Sequence, residues 1–358
     1  MLIHCPSLNN SDDDDNDEKL NGEIVSSVRI FRRTLSTGGA AANSSNSGDG
    51  GATTIEAGGI GEVCTSPNHQ RRGLSKILLK DAINIMFTSR DNTKSHGGDG
   101  GGMSCSLLHA NPEFRPVYNK IGGYKSVPSR WSLVPIQLNK LTTKVTDVDY
   151  NSTKRYITRQ AKFPNDVSQL QALHTEYSEK RFITIIRSTE YWNDYVSAEL
   201  GDSLWVLEEV VEEGGAKDNK IIAWLAIRKR GDRYQLREFG VDRDHESSIV
   251  NLTAFALKAL LCVELQQAGE DAHVNSDKMV NLLLPSVVLS DIIQDSMKGE
   301  TRADGDCGYS FFDSKDIVEE NDDGWMYVVF DRSAPNVLEL TLRENDPVPH
   351  LIWPTDSF

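Results

Sequence analysis

The sequence predicts an α/β (α+β) protein with mixed central sheets, built as two units in tandem. Three observations support this prediction. A short apolar strand ending near Thr65 runs through a proline turn into an amphipathic helix. A strand, a short helix and another strand follow over residues 104 to 133. The chain after residue 155 repeats strands and helices in a similar order, and 358 residues are enough for two cores.

The first unit is expected over residues 1–138 and alternates strand patterns with polar inserts. Residues 23–35 and 59–65 have the apolar content of strands, and the helix covers roughly residues 71–88, with Asn68 as a cap before it. Low-complexity or acidic inserts are expected at residues 9–20, 36–54 and 95–102.

The second unit is expected over residues 155–332, followed by a tail over residues 333–358. Its order is strand, helix, helix, three strands, helix and strand. The first helix has an apolar face formed by Leu170, Leu173 and Tyr177. The second helix is capped by Ser188, and its expected buried anchors are Tyr191, Trp192, Tyr195 and Val196. The strands are expected over residues 155–161, 203–211, 220–229, 234–241, 279–284 and 326–330, and the third helix over residues 249–265.

Composition argues against several classes of protein. No run of about eighteen apolar residues is present, so no membrane span is expected. The first residues lack the basic and apolar regions of a secretory signal. The five cysteines are scattered and odd in number, which favours free thiols in a reducing, cytoplasmic compartment over disulfides. No metal site is expected, because neither these cysteines nor the eight histidines cluster.

The formal charge of −15 makes nucleic-acid binding by a broad basic face unfavourable. Two interpretations of the acidity stay open. It attracts a cationic amine such as lysine, a polyamine or a basic peptide, or it serves only solubility. Asp12 to Asp15 carry part of the charge within an insert and indicate nothing about a site.

The most informative segment runs from Val63 to Leu79, VCTSPNHQRRGLSKILL in one-letter code. A basic, glycine-containing loop at a helix start directs backbone N–H groups and the positive end of the helix dipole at one spot, which suits a phosphate. Residues 70–75, QRRGLS, resemble the Q/R-x-x-G-x-G/A loop of the GNAT superfamily of N-acetyltransferases. Ser75 departs from the family's Gly or Ala, but it is also small. The resemblance implies the GNAT fold and acetyl-CoA as co-substrate.

A second segment also resembles the superfamily. Asn111 and Tyr118 have the spacing of the motif N-x6-Y-x-K-x-G-[FY], and Gly122-Gly123-Tyr124 closes it with one extra glycine. The residues from Val63 to Leu74 are similar to the cofactor motif of tandem-domain Eis-like acetyltransferases. In the second half, Tyr177, Arg187 and Trp192 are similar to residues of that family's helices.

The second copy lacks a counterpart of the phosphate loop. Between Val241 and Ile249 the sequence is DRDHESS, without glycine and rich in acid, so this copy is expected to be degenerate and non-binding. The chain ends in Phe358, and in Eis-like enzymes the C-terminal residue lies in the active site with its carboxylate as base. The alternative is that Trp353 and Phe358 only attach the tail to the core.

The resemblance also implies roles for individual residues. Tyr118 would protonate the departing thiolate, and the base would be the Phe358 carboxylate or Glu62, with His109 as a third candidate. Cys64 and Cys105 are expected to be packing residues rather than nucleophiles. The residues expected to bind the cofactor are Val63, Cys64, Thr65, Gln70, Arg71, Arg72, Gly73, Leu74, Ser75, Lys76 and Asn111.

Together these observations predict an N-acetyltransferase that moves an acetyl group from acetyl-CoA to a primary amine by direct attack. The acceptor is a small molecule or a lysine side chain, and tandem enzymes of this type often form homo-oligomers. The alternative is a catalytically impaired CoA-binding or scaffold protein. The first unit is expected to lack the opening strand and two helices of an acetyltransferase domain, roughly sixty residues. Two interpretations stay open: the chain is incomplete at its N-terminus, or its acceptor pocket is unusually open, and the latter favours the impaired protein.

Overall fold

The computed structural model describes residues 1–6, 22–37, 54–88, 103–127, 129–137, 155–179, 181–213, 216–242, 279–290, 316–321 and 324–330, together with helical residues 255–256, 258–260 and 262–264. Within these residues the strands form two seven-stranded mixed sheets. The expected fold class, α/β with mixed central sheets, is confirmed. The expected inserts, the tail 333–358 and the loop after Val241 lie largely outside the described residues.

The first sheet combines strands from both halves of the chain. Its spatial order is β1 (Leu2–Pro6), β2 (Gly22–Thr37), β3 (Thr54–Thr65), β4 (Cys105–His109), β14 (Trp325–Val329) and β5 (Lys125–Ser126), and β8 (Phe182–Ile186) pairs with β2. All pairs are antiparallel except β3 and β4, which are parallel.

The second sheet has the order β13 (Val318–Asn321), β6 (Arg130–Gln137), β12 (Met279–Pro285), β11 (Arg233–Val241), β10 (Ala216–Arg230), β9 (Leu204–Glu213) and β7 (Arg155–Gln160). Again one pair is parallel, β11 with β12. The helices are α1 (Leu74–Thr88), α2 (Arg115–Gly122), α3 (Val167–Glu179) and α4 (Ser197–Leu200), which continues a π-helical turn, Tyr191–Val196.

The two sheets exchange strands. The chain leaves the first sheet after β5 and enters the second sheet as β6, where it pairs with β12 and β13. It makes the reverse crossing between β13 and β14, and β14 then lies between β4 and β5. Residues 1–138 and 155–332 therefore remain a proposed division of the chain, and neither range contains all the strands of one sheet.

Helix α1 packs on one face of the first sheet. Its buried residues Leu78, Leu79, Ala82 and Met86 lie against a cluster that includes Ile60 of β3. A Cβ on Gly58 would stand 2.1 Å from the Met86 Sδ, so the helix approaches the strand as closely as glycine allows. This contact holds the C-terminal part of α1 against β3.

The core of the second sheet is larger and mostly aromatic and aliphatic. Trp192 and Trp224 are fully buried there, and Leu170, Leu173 and Tyr177 form the expected buried face of α3. The core also holds a buried ion pair, in which Arg187 Nη2 lies 2.7 Å from Glu238 Oε1 and both side chains are 0% exposed.

Some expectations need correction. Helix α1 begins at Leu74 rather than residue 71, because Arg71 and Gly73 have φ of 62° and 78°, which no α-helix includes. Asn68 lies in a short 3₁₀ turn, Pro67–His69, and not at the start of α1. Tyr195 was expected to be buried and is 40% exposed. Strands β8 and β13 were not expected; both are short, and their partner strands are distant in sequence.

Ser188 caps its helix as expected, since its Oγ accepts a hydrogen bond of 3.2 Å from the Tyr191 N–H. The remaining expected strands and the described part of the third helix are present within a few residues of their expected bounds. No helix in the described part of the chain is long and apolar enough to cross a membrane.

Candidate functional site

The parallel strands β3 and β4 separate partway along their length. They pair only at Ala57 with Cys105, Gly58 with Ser106 and Gly59 with Leu107. Strand β3 continues to Thr65 and stays bound to β2, and β4 continues to His109 and stays bound to β14. Among the described residues a gap therefore opens between the ends of β3 and β4. Backbone N–H and C=O groups on this side of β3 face the gap at alternate positions.

The loop after β3 brings the start of α1 to the end of this gap. Arg71 and Gly73 both adopt left-handed φ, which turns the chain sharply between the 3₁₀ turn and the helix. Ile77 N–H donates to the Gly73 carbonyl at 3.1 Å, so the first intrahelical bond closes there. The N–H groups of the preceding residues are those that helix geometry leaves without intrahelical acceptors.

The loop has room for a ligand. A Cβ on Gly73 would meet no atom within 4 Å, so the space beside the loop is open. Gln70, Arg71, Arg72 and Lys76 are exposed, and Leu74 and Ser75 are half-buried. Open space, cationic side chains and a helix N-terminus are what a diphosphate requires, so these residues fit the expected CoA.

The end of β3 is held by a bulge and by Ser26. The pairing of β2 and β3 shifts between Ser27 and Arg29, opposite Glu62, whose φ is 52°. Ser26 Oγ donates to the Cys64 carbonyl at 2.9 Å and lies 3.0 Å from Thr65 Oγ1. The bulge changes the direction of the last residues of β3 at the point where the strand separates from β4.

Glu62 lies on the sheet face opposite α1. Its carboxylate oxygens lie 3.2 and 3.4 Å from Arg29 Nη1, and the two side chains are 58% and 61% exposed. Val63 packs instead with the cluster under α1. Neighbouring residues of β3 therefore present different groups to the two sides of the gap.

Tyr118 lies on the helix side of the gap. It packs, with Val63, against the cluster beneath α1, and its ring meets that of Tyr124 edge to face at 6.2 Å. Burial raises the pKa of the Tyr118 hydroxyl above its usual value. The Tyr124 hydroxyl lies 2.7 Å from Ser106 Oγ in the core. Tyr118 is thus the less buried tyrosine and remains protonated at neutral pH.

Two other candidates have structural contacts. Asn111 caps the 3₁₀ turn Pro112–Phe114, and its Oδ1 accepts from the Glu113 N–H at 3.1 Å. His109 is exposed at the end of β4 and meets the Trp325 ring at 5.0 Å. The structure thus gives Asn111 a local capping role, and its contact with a cofactor remains a proposal.

The two cysteines near the gap, Cys64 and Cys105, differ in their exposure to solvent. Cys105 is fully buried, and desolvation raises the pKa of its thiol to about 12, so it is inert at neutral pH. Cys64 was expected to be a buried packing residue, but it is exposed near the C-terminal end of β3, just before the loop. Phe358, the alternative base, lies outside the described residues. In the described part of the chain no group of His, Cys, Asp and Glu could hold a metal.

Sequence inspection missed two residues that shape the site. Arg29, opposite the bulge, reaches Glu62 only through the register of β2 with β3, which the sequence does not state. Gly58 determines how closely α1 approaches, and its only sequence signal is its place in the glycine-rich run GGIG.

Comparison with known proteins gives matches among solved structures alone. No protein-family model matches the chain, and no curated protein matches it. A GCN5-related N-acetyltransferase from Kribbella flavida is 14% identical over 86% of this chain and 57% of its own, with a TM-score of 0.45. Eis1 from Mycobacterium abscessus is 13% identical over 87% and 63%, with a TM-score of 0.44. A tandem GNAT protein from the clavulanic acid pathway is 11% identical over 79% and 80%, with a TM-score of 0.38.

The chain spans about three fifths of the length of the first two, at 57% and 63%. At such identities and scores the chemistry of this chain has to be judged from its own residues.

Proposed function

We propose that this chain is an N-acetyltransferase of the GNAT type, which moves an acetyl group from acetyl-CoA to a primary amine. One observation supports the proposal above others. Strands β3 and β4 separate after Gly59, and the glycine-containing start of α1 stands at the end of the resulting gap. A long, narrow thioester with a diphosphate fits a gap of backbone hydrogen-bonding groups that ends in a helix N-terminus.

Each part of the loop has a proposed task. The N–H groups of residues 71–76 bind the diphosphate, with the Arg71, Arg72 and Lys76 side chains adding positive charge. Main-chain groups of Val63 and Thr65 align the pantetheine arm along β3. Bound acetyl-CoA supplies the acetyl group. Because the thioester is already activated, this chain needs to supply only orientation and proton transfer.

The proton-transfer groups lie on opposite faces of the sheet. Tyr118, protonated and half-buried on the helix side, donates its proton to the departing sulfur. Glu62, on the other face, accepts the proton of the attacking amine. The carboxylate of Phe358 is the competing candidate for the base.

A binding titration and an activity assay test the proposal. We expect acetyl-CoA to raise the melting temperature of the full chain and to bind in a calorimetric titration. Thiol release with a panel of primary amines should then follow. Tyr118→Phe should lower kcat roughly 100-fold with little change in acetyl-CoA affinity. Tyr195→Phe, at an exposed tyrosine in the second half, is the control and should leave turnover unchanged.

Three outcomes decide between the candidates. Binding with turnover supports the enzyme. Binding without turnover on any amine identifies the scaffold alternative. Absence of acetyl-CoA binding contradicts both.

A further inference from the structure

The two sheets place a glutamate at the same position beyond their parallel pairs. Strands β3 and β4 pair last at Gly59, and β11 and β12 pair last at Gln235. The third residue beyond is Glu62 in the first sheet and Glu238 in the second. Both stand beside a shift of register with the preceding strand. Glu62 and Glu238 are therefore topologically equivalent.

In the second sheet the glutamate at this position binds an arginine. The Glu238 carboxylate holds the guanidinium of Arg187 at 2.7 Å, fully buried. In the first sheet the equivalent carboxylate is 58% exposed and meets Arg29 at 3.2 Å, longer than a charge-assisted hydrogen bond usually is. Glu62 therefore occupies a cation-binding position that opens to solvent beside the gap.

Arg29 adds a positive charge next to that position. Its guanidinium lies over the Phe31 ring at 4.7 Å, and Arg33 lies over the same ring at 5.2 Å. Arg29 pairs with Gly61 and Phe31 with Gly59 across the ladder, so the residues opposite have no side chains. The Arg29 guanidinium therefore lies beside the strip of β3 that Gly59 and Gly61 leave uncovered.

We propose that Arg29 and Glu62 together recognise an acceptor that is an α-amino acid. Glu62 holds the ammonium group at the gap, and Arg29 holds the carboxylate. An ion pair presents one charge of each sign side by side, which is complementary to a zwitterion. This inference deepens the proposed function, on which it rests, and it differs from the cationic acceptor that the net charge of −15 suggested. The local charges at the gap, and not the total, decide the acceptor.

Three ligands of one shape test the inference. Phenylalanine, phenylalaninamide and 2-phenylethylamine share an aromatic body suited to the Phe31 ring and an amine, and phenylalanine alone adds a carboxylate. Calorimetric titrations of the full chain, with and without CoA, should show phenylalanine binding about tenfold more tightly than the other two. Arg29→Gln should remove this preference, and Arg29→Lys should keep part of it.

Controls separate recognition from folding. Arg32→Gln changes an exposed arginine of the same strand on the opposite face and should keep the preference. Glu62→Gln should weaken all three ligands together. The inference is overturned if the amide or the amine binds as well as phenylalanine, if Arg29→Gln keeps the preference, or if none of the three binds. CoA binding and thiol release are measured separately, so failure of the proposed function is distinguished from failure of amino-acid recognition.

Discussion

The two parallel strand pairs, β3 with β4 and β11 with β12, have the same topology but differ beyond their last paired residues. Beyond its last pair with β4, β3 alternates between exposed and half-buried residues from Glu62 to Thr65, and space remains at the start of α1. Beyond its last pair with β12, β11 is buried at every residue through Val241. A Cβ on Gly240 would stand 1.7 Å from the Trp224 ring, so the ring lies directly over Gly240 on the second sheet. The same topology thus leaves an open gap in one sheet and a packed core in the other.

This contrast gives a physical reason for the proposal that the first sheet is functional and the second is degenerate. The Glu238 carboxylate is neutralised inside the protein by Arg187, whereas the Glu62 carboxylate stays accessible beside Arg29. The position is therefore buried and structural in the second sheet. Strand β14, from the second half of the chain, pairs with β4 on the side away from the gap and extends the first sheet there.

The largest expected difference lies between the two glutamates. Glu238→Gln removes the carboxylate charge that pairs with the buried Arg187 guanidinium, and we expect it to lower the free energy of unfolding by about 3–5 kcal/mol. Glu62→Gln breaks an exposed pair and should cost less than about 0.5 kcal/mol, while acetyl transfer falls. Urea denaturation of both variants measures this. Equal losses of stability would contradict the contrast between a buried, structural Glu238 and an exposed Glu62.

Gly73→Val is expected to have the next largest effect. A β-branched residue at φ of 78° is strained and intrudes on the open loop, so acetyl-CoA affinity should fall about 100-fold, or about 2.7 kcal/mol. Gly231→Val is the matched control, since that glycine has φ of 64° in the turn between β10 and β11. It should be strained to a similar degree without changing the affinity. Similar losses of acetyl-CoA affinity in both variants would show that the loop at Gly73 has no specific role in cofactor binding.

A smaller effect is expected for packing. Gly240→Ala forces a methyl group against Trp224 and should lower the free energy of unfolding by about 2 kcal/mol. Cys64 occupies the corresponding place in the first sheet, two residues beyond Glu62, and is exposed. Cys64→Ala should therefore be nearly neutral. Thermal melts of the two variants test this, and a destabilising Cys64→Ala would show that the first gap is packed as well.

The smallest expected effect concerns pH. His174 is fully buried beside Trp192 and Trp224, and burial, together with the Arg187 charge, lowers its pKa well below 6.5. The unfolded chain takes up a proton below about pH 6.5 that the folded chain does not, so this contribution to stability is lost as pH falls. The slope is at most about 1.4 kcal/mol per pH unit. Denaturation at several pH values should show it, and His174→Gln should reduce it. An unchanged slope in this variant would rule out His174 as the cause.

Local patterns predicted most elements of this fold because each depends on nearby residues. The apolar face of α1, the turn at Gly73 and the cap at Ser188 can all be recognised from the sequence. The exchange of β6 and β14 cannot, because an alternating pattern shows that a strand has a buried face but not which sheet it joins. The pairing of Arg29 with Glu62 was missed for the same reason, since it depends on register across a bulge.

The exposed state of Cys64 and Tyr195 could not be predicted either. Both are apolar residues within well-formed periodic segments, where burial is the ordinary expectation. Their exposure follows from the separation of β3 from β4 and from the orientation of the π-helical turn, which are tertiary features.

Amide hydrogen exchange with and without acetyl-CoA tests the central claim most directly, because it reports on both strand pairs at once. If the gap in the first sheet binds the thioester, residues 60–65 and the amides of residues 72–77 should become protected on binding. Residues 236–241 of the buried strand should not change. Unchanged exchange at the start of α1 under saturating acetyl-CoA, or new protection confined to the second sheet, would contradict the account.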